Sequence, residues 1–225
     1  MDYVFQFGVV WDHCDELLDG AWLTLRLSVG GFLIGLTLAG LIAYLREVGP
    51  RPVRFGLGTY IEFIRNTPLL VQLFVLYFSL PMLGIRLDAD IAALVGLTLN
   101  FAAYGAEILR GGMLSIPYGH IEAARALGLS RWRTFRHVIL LPSLRVAFPA
   151  LSSQFVLLML GSSVVSAISA TDLTAVTNTL QSTTFRAFEF YFAATGIYLS
   201  MALAARLLLA LAYVRLFPAA GRGAQ

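Results

Sequence analysis

Residues 146–171 read VAFPALSSQFVLLMLGSSVVSAISAT, with no acidic or basic side chain anywhere in the run. About 20 consecutive apolar residues suffice for a helix to cross the ~30 Å hydrocarbon core of a bilayer. In that solvent the backbone must satisfy its own polar groups, which a helix does and a lone strand does not. The run is therefore expected to be a membrane-spanning helix, and four further stretches read the same way. Leu27–Leu45 and Asn66–Ile85 are uncharged, the second bounded by Arg65 and Arg86. Ile91–Ala106 is uncharged and extends through Glu107 to Leu109, and Phe190–Val214 carries only Arg206. With their flanks they predict spans at about 21–46, 60–84, 89–111, 146–171 and 190–215, in an all-α, polytopic helical bundle forming one domain over 1–225.

The composition agrees. Of 225 residues, 58% are hydrophobic and 13% charged, against about 25% charged in soluble domains, and the mean hydropathy is +0.78. All 16 basic residues are arginine. A P-loop needs lysine to grip phosphates, so the chain has no such ATP site, and Schiff-base chemistry is excluded with it. The arginines are scattered between apolar segments, whereas a nucleic-acid binder gathers them on one face. Cys14 stands alone, which rules out an internal disulfide and leaves a free thiol near the membrane surface. His13, His120 and His137 lie too far apart for a metal motif. Near the start, Asp12, Asp15, Glu16 and Asp19 contrast with the basic opening of a cleavable signal peptide, so the first span is expected to direct insertion. The final residues 219–225 are expected to fray.

Arginine placement sets the expected orientation. The segment before the first span is acidic. The loop after it carries Arg46, Arg51 and Arg54, and the loop after the third span carries Arg125, Arg131, Arg133, Arg136 and Arg145. The intervening loops are balanced: Arg86 against Asp88 and Asp90, and Arg186 against Asp172 and Glu189. The tail has Arg215 and Arg222. The N-terminus is thus expected in the periplasm and the C-terminus in the cytoplasm of a bacterial inner membrane. Gly31 and Gly35 share a face of the first span, a spacing that lets helix backbones approach; packing within the subunit is the favoured reading over a dimer contact.

The long loop 115–145 is expected to form two short helices. Pro117 suits a first turn, Ile121, Ala124 and Leu127 share a face, and Gly128 fits the left-handed residue that ends a helix. Ser130 then caps a second helix that ends before Pro142. An amphipathic hairpin lying on headgroups and a protein-docking element fit this pattern equally well.

The residues themselves resemble a known family. Glu122-Ala123-Ala124, then Gly128, then Ile139-Leu140-Leu141-Pro142, resembles the EAA loop of ABC importer permeases. Tyr60-Ile61-Glu62-Phe63-Ile64-Arg65-Asn66-Thr67-Pro68-Leu69-Leu70-Val71-Gln72 is similar to the second-span signature of the polar amino acid permeases. So are Thr24-Leu25-Arg26-Leu27-Ser28 and Ala103-Tyr104-Gly105-Ala106-Glu107 with Arg110-Gly111-Gly112, and the likeness runs from about Gly20 to Phe217. The chain departs from the family at His120, where Gln is frequent, and at Leu160-Gly161-Ser162-Ser163-Val164, where many members carry a charged Lys-Asp pair.

The resemblance implies a type I ABC importer permease that binds no cofactor of its own. It would work with two cytoplasmic ATPase subunits that bind ATP, a second permease subunit (identical or homologous) and an extracytoplasmic solute-binding protein. Glu122, Ala123, Ala124, Leu127, Gly128 and Leu129 would form the ATPase-coupling helix. In it, Ala123 and Ala124 would permit close approach, and Glu122 would either cap the helix start or pair with a partner's arginine. For the substrate path, charges inside spans are costly, and Arg26, Glu62, Glu107 and Arg206 lie mostly near span ends. Snorkelling to the interface is the favoured reading for Arg26 and Arg206. Asn100, Gln154, Ser162 and Ser163, with Glu62, are the expected path residues, although the two serines are equally well explained by bonding back to helix carbonyls. Carriage of another small polar solute such as an opine is the alternative. A membrane-embedded enzyme lacks any nucleophile–base or metal constellation here, and a secondary transporter often shows the internal repeats that this chain lacks.

Overall fold

The computed structural model describes residues 3–218, so the tail expected to fray, and Arg222 within it, lies outside the described residues. In chain order the helices are α1 (Gly8–Asp12), α2 (Cys14–Val48), α3 (Arg51–Arg65), α4 (Leu69–Phe74), α5 (Ala89–Leu114), α6 (Tyr118–Ala126), α7 (Arg131–Thr134), α8 (Leu141–Gly161), α9 (Leu173–Thr184) and α10 (Ala187–Leu216). Among the described residues, four continuous helical stretches are long and apolar enough to cross a bilayer: Cys14–Val48, Ala89–Leu114, Trp132–Ile168 and Ala187–Leu216.

The centre of the bundle is the seam between α2 and α5, and small residues make it. A Cβ on Gly31 would sit 3.1 Å from Cβ of Leu97, and one on Gly35 would sit 3.0 Å from the Thr98 carbonyl oxygen. Further along, Gly105 faces Ala39, and Glu107 meets Arg46. These glycines therefore pack within the subunit. Without a hydrophobic drive between helices in lipid, close backbone contact supplies the attraction. Phe101, fully buried, fills the seam, with the ring of Phe32 4.9 Å away edge-on.

The order of those contacts shows that α2 and α5 run parallel. The chain between them must therefore cross back, and residues 51–83 are what remains to do it. The segment expected as a span at about 60–84 is broken. α3 ends at Arg65, and α4 restarts at Leu69 and passes through a π turn (Val75–Ser79) and a 3₁₀ turn (Leu80–Leu83), at 108° to α3. Proline explains the break. Pro68 has no N–H to give to a helix and pushes Thr67 out of the helical region.

Two other expectations are corrected. The second loop helix does not stop before Pro142: α7 continues through a π turn at Phe135–Leu140 into α8. Pro142 directly follows the π turn, where the altered hydrogen-bond ladder accommodates a residue without an N–H. The fourth span ends earlier than 171, passing from α-helix to 3₁₀ at Ser162–Ile168 and closing on Ser169 with φ of 66°. Residues 172–189, read as loop, contain α9. Its cap is Asp172, which accepts the Ala175 N–H at 3.0 Å, and Thr24 Oγ1 of α2 accepts the Leu173 N–H at 3.2 Å.

The α5–α8 crossing is as tight as the central seam. A Cβ on Gly112 would lie 2.6 Å from the Ser143 carbonyl oxygen, whereas one on Gly111 meets nothing within 4 Å. Gly112→Ala should lower stability by about 1–3 kcal/mol through overpacking. Gly111→Ala should be neutral or stabilising, since alanine is the better helix former. Thermal unfolding of the two variants in detergent checks this, and equal midpoints would show that the crossing can relax.

Candidate functional site

The break between α3 and α4 leaves the Phe63, Ile64 and Thr67 carbonyls for side chains to serve, and the Glu62 carbonyl, which already accepts the Asn66 N–H, gains a second bond. Asn66 donates through Nδ2 to the Glu62 carbonyl at 2.7 Å and to the Glu62 carboxylate at 3.0 Å. Thr67 Oγ1 donates to the Phe63 carbonyl at 2.8 Å. Gln72 reaches back from α4: its Nε2 lies 2.9 Å from the Ile64 carbonyl, 3.0 Å from the Thr67 carbonyl and 2.9 Å from Thr67 Oγ1. Its Oε1 accepts from Asn100 Nδ2 on α5 at 3.3 Å. One amide thus ties both ends of the break to a third helix.

Beside the break is a cleft of about 520 Å³. Arg65, Asn66 and Thr67 line it from the break, Asn100 and Tyr104 from α5, and Gln154 and Gly161 from α8. The Arg65 guanidinium sits 5.3 Å from the centre of the Tyr104 ring. The cavity on the other side of α5, about 290 Å³ and lined by Phe32, Leu109, Phe135 and Leu144, is apolar by contrast. Amide and hydroxyl groups converging in an otherwise apolar bundle can hold a small polar molecule through several hydrogen bonds. Arg65 at the rim adds one positive charge.

Of the expected path residues, Asn100 and Gln154 line this cleft. Ser162 does not: it is fully buried, donates to the Met159 carbonyl at 2.7 Å and accepts a long bond of 3.5 Å from Ser28 on α2. Ser163 donates to the Leu160 carbonyl at 2.9 Å and also lies outside the cleft lining. Glu62 is exposed and takes part only by holding Asn66. Arg65, Asn66, Thr67, Gln72 and Tyr104 were absent from the expected set. Their signal was present, as polar residues gathered around an X-Pro step within an apolar run.

Glu107, at the far end of α5, binds Arg110 through Nη2 at 2.8 Å and also Arg46 of α2. Arg206 opens instead onto a separate groove with Ser152, Ser153 and Tyr213.

The loop after α5 presents a second surface. α6 ends in a Schellman turn: the Gly128 N–H donates to the Arg125 carbonyl at 2.9 Å and the Leu129 N–H to the Ala124 carbonyl at 3.1 Å. Gly128 holds φ of +72°, the left-handed region that favours glycine. Glu122 and Ala123 are exposed, and Leu127 is 81% exposed. Ala124, expected against a partner, is 4% exposed and packs into its own chain, whereas Ala123 is open. Glu122 stands five residues into α6, away from the helix start it was expected to cap.

Comparison with known proteins gives consistent results. Residues 31–217 match the family described as binding-protein-dependent transport system inner membrane component. The glutamine transport system permease protein GlnP of Escherichia coli (strain K12) is 38% identical over 201 residues, which is 88% of this chain and 92% of GlnP. The octopine transport system permease protein OccM of Rhizobium meliloti is 38% identical over 218 residues, 93% of this chain and 89% of OccM. Among solved structures, an amino acid ABC transporter with histidines superposes with a TM-score of 0.88 at 34% identity, covering 95% of this chain and all of the other. A methionine ABC transporter, MetNI, shares the fold, with a TM-score of 0.74 at 21% identity.

Gln72→Met keeps the side-chain length but leaves the Ile64 and Thr67 carbonyls and the Asn100 amide without this partner. It should lower stability by about 1–3 kcal/mol. Val71→Leu, on an exposed neighbour, should change little. Thermal midpoints of the two variants check the stitching role, and indistinguishable values would refute it.

Proposed function

Because the chain belongs to the family of binding-protein-dependent transport system inner membrane components, we propose that it is the permease subunit of an ATP-driven importer that carries a polar amino acid through the cleft beside the α3–α4 break. The cleft carries this reading. Its amides, hydroxyls and one guanidinium suit a zwitterion, whose carboxylate would face Arg65 and whose ammonium would meet the carbonyl oxygens of Asn66, Asn100 or Gln154. GlnP and the amino acid transporter structure support that substrate class. The likeness to OccM supports a second reading, an opine, and a thermal-shift screen of the cognate binding protein with amino acids and opines separates the two.

Energy arrives from outside the chain, since a protein without lysine has no P-loop. Two cytoplasmic ATPase subunits would each dock on an α6, with Glu122, Ala123 and Leu127 forming the contact and Gly128 and Leu129 fixing its angle. Their closure on ATP would move two permease subunits together, a binding protein would deliver solute from the periplasm, and hydrolysis would reset the pump. Arginine placement supports an outer N-terminus and an inner C-terminus.

Gln154→Trp and Asn100→Trp should each reduce uptake in reconstituted vesicles to background while the ATPase still co-purifies, because an indole fills the cleft. Normal uptake by both would move the path elsewhere.

Gly128→Val forces a branched side chain into a left-handed position at a cost of about 1–2 kcal/mol. The spans should still insert, but uptake should collapse and ATPase co-purification weaken. An intact, active complex would instead favour a loop that only rests on lipid.

A further inference from the structure

A second polar cavity, of about 600 Å³, lies at the other end of α5 from the α4 side, lined by Arg46, Glu47, Arg51, Arg54, Phe55 and Arg110. Four guanidinium groups face it. Two of them, Arg46 and Arg110, share the single carboxylate of Glu107, and Glu47 is the only acid in the lining. Positive charge is thus in excess. Arg51 opens the first turn of α3, a turn without an acidic residue, with Arg54 immediately behind it. Cations are disfavoured at a helix N-terminus, so this arrangement carries an electrostatic cost that a bound anion would offset. Next to the arginines the surface is apolar: Phe55 is 78% exposed, Val48 57% and Val53 38%.

We propose that this cavity holds the phosphate of an anionic phospholipid, with the Arg51 and Arg54 guanidinium groups on the phosphate oxygens and Phe55, Val48 and Val53 against the acyl chains. Charge alone would also suit a soluble phosphate or an acidic protein surface. The exposed aromatic and aliphatic side chains flanking the arginines, at the end of a span where headgroups lie, favour a lipid. Guanidinium is the better group for this task than ammonium, because its planar fork matches phosphate oxygens two at a time. The proposal depends on the bundle's lying in a bilayer and not on which solute it carries.

The test uses the full chain purified in detergent, with lipid binding followed by native mass spectrometry and by thermal shift. Phosphatidylglycerol should be retained and should raise the unfolding midpoint, while phosphatidylcholine and inorganic phosphate should not. In the double variant Arg51→Gln with Arg54→Gln, phosphatidylglycerol affinity should fall about thirtyfold, as expected for two surface arginines. The variant should still fold, because Arg46, Arg110 and Glu107 keep their own contacts, and its midpoint in phosphatidylcholine should be equal to or above the wild type's, since the uncompensated charge is gone. Equal effects of the two lipids, full stabilisation by inorganic phosphate, or unchanged phosphatidylglycerol binding in the variant would each overturn the proposal. Loss of ATPase co-purification in the variant with lipid binding unchanged would assign the arginines to a protein contact instead.

Discussion

A helix interrupted inside a membrane leaves carbonyl groups facing a solvent that offers them nothing, and each such group costs several kcal/mol if left alone. The Asn66-Thr67-Pro68 interruption is possible because Gln72 turns back onto it, bonding to the Ile64 and Thr67 carbonyls and to Asn100. The cleft lies beside that opening, and part of its polarity comes from groups that repair it, Asn66, Thr67 and Asn100, with Arg65 and Gln154 adding to it. Stability and the site therefore share hydrogen bonds. Asn100 serves both, giving one amide proton to Gln72 while lining the cavity.

The seam between α2 and α5 imposes the topology around that opening. Gly31, Gly35 and Gly105 let two parallel helices meet at backbone distance, and parallel neighbours oblige the connecting segment to recross the bundle. A straight return helix would pack as a further apolar rod. The bent one instead brings its polar corner against α5 and α8, where Tyr104 and Gln154 are already placed.

Much of this was legible in the sequence, and the parts that were not share a cause. Uncharged runs locate the spans because lipid burial depends on composition alone. Gly128 was legible as a left-handed turn because its steric reason is local. The bend at Pro68 was hidden inside an uncharged run, since hydropathy counts residues and does not register a missing N–H. α9 was hidden for the opposite reason: rich in threonine, it is too short and polar to read as a span, and its place depends on the Asp172 cap and on Thr24 of α2 accepting the Leu173 N–H. Ser162 and Gln154 look alike in sequence, as polar residues within one span, yet the first faces α2 and the second faces the cleft. That difference is set by the rotation of a helix against its neighbours. Ala124 and Leu127 were assigned to one helical face, and the chain's own packing separates them, burying one and leaving the other bare.

The continuity of the helix from Trp132 through Ile168 has a mechanical consequence. Gln154 stands 22 residues beyond Trp132, an arm of about 33 Å at ~1.5 Å per residue. Pivoting such an arm by about 5° would sweep its far end through roughly 3 Å, about the length of one hydrogen bond. The π turn at Phe135–Leu140 sits near the base of the arm. That π turn, beside α6, and Pro149 within α8 are the two points at which the arm can flex. On the docking role proposed for α6, force applied there would reach Gln154 as displacement, where a small stroke would change which groups face the cleft.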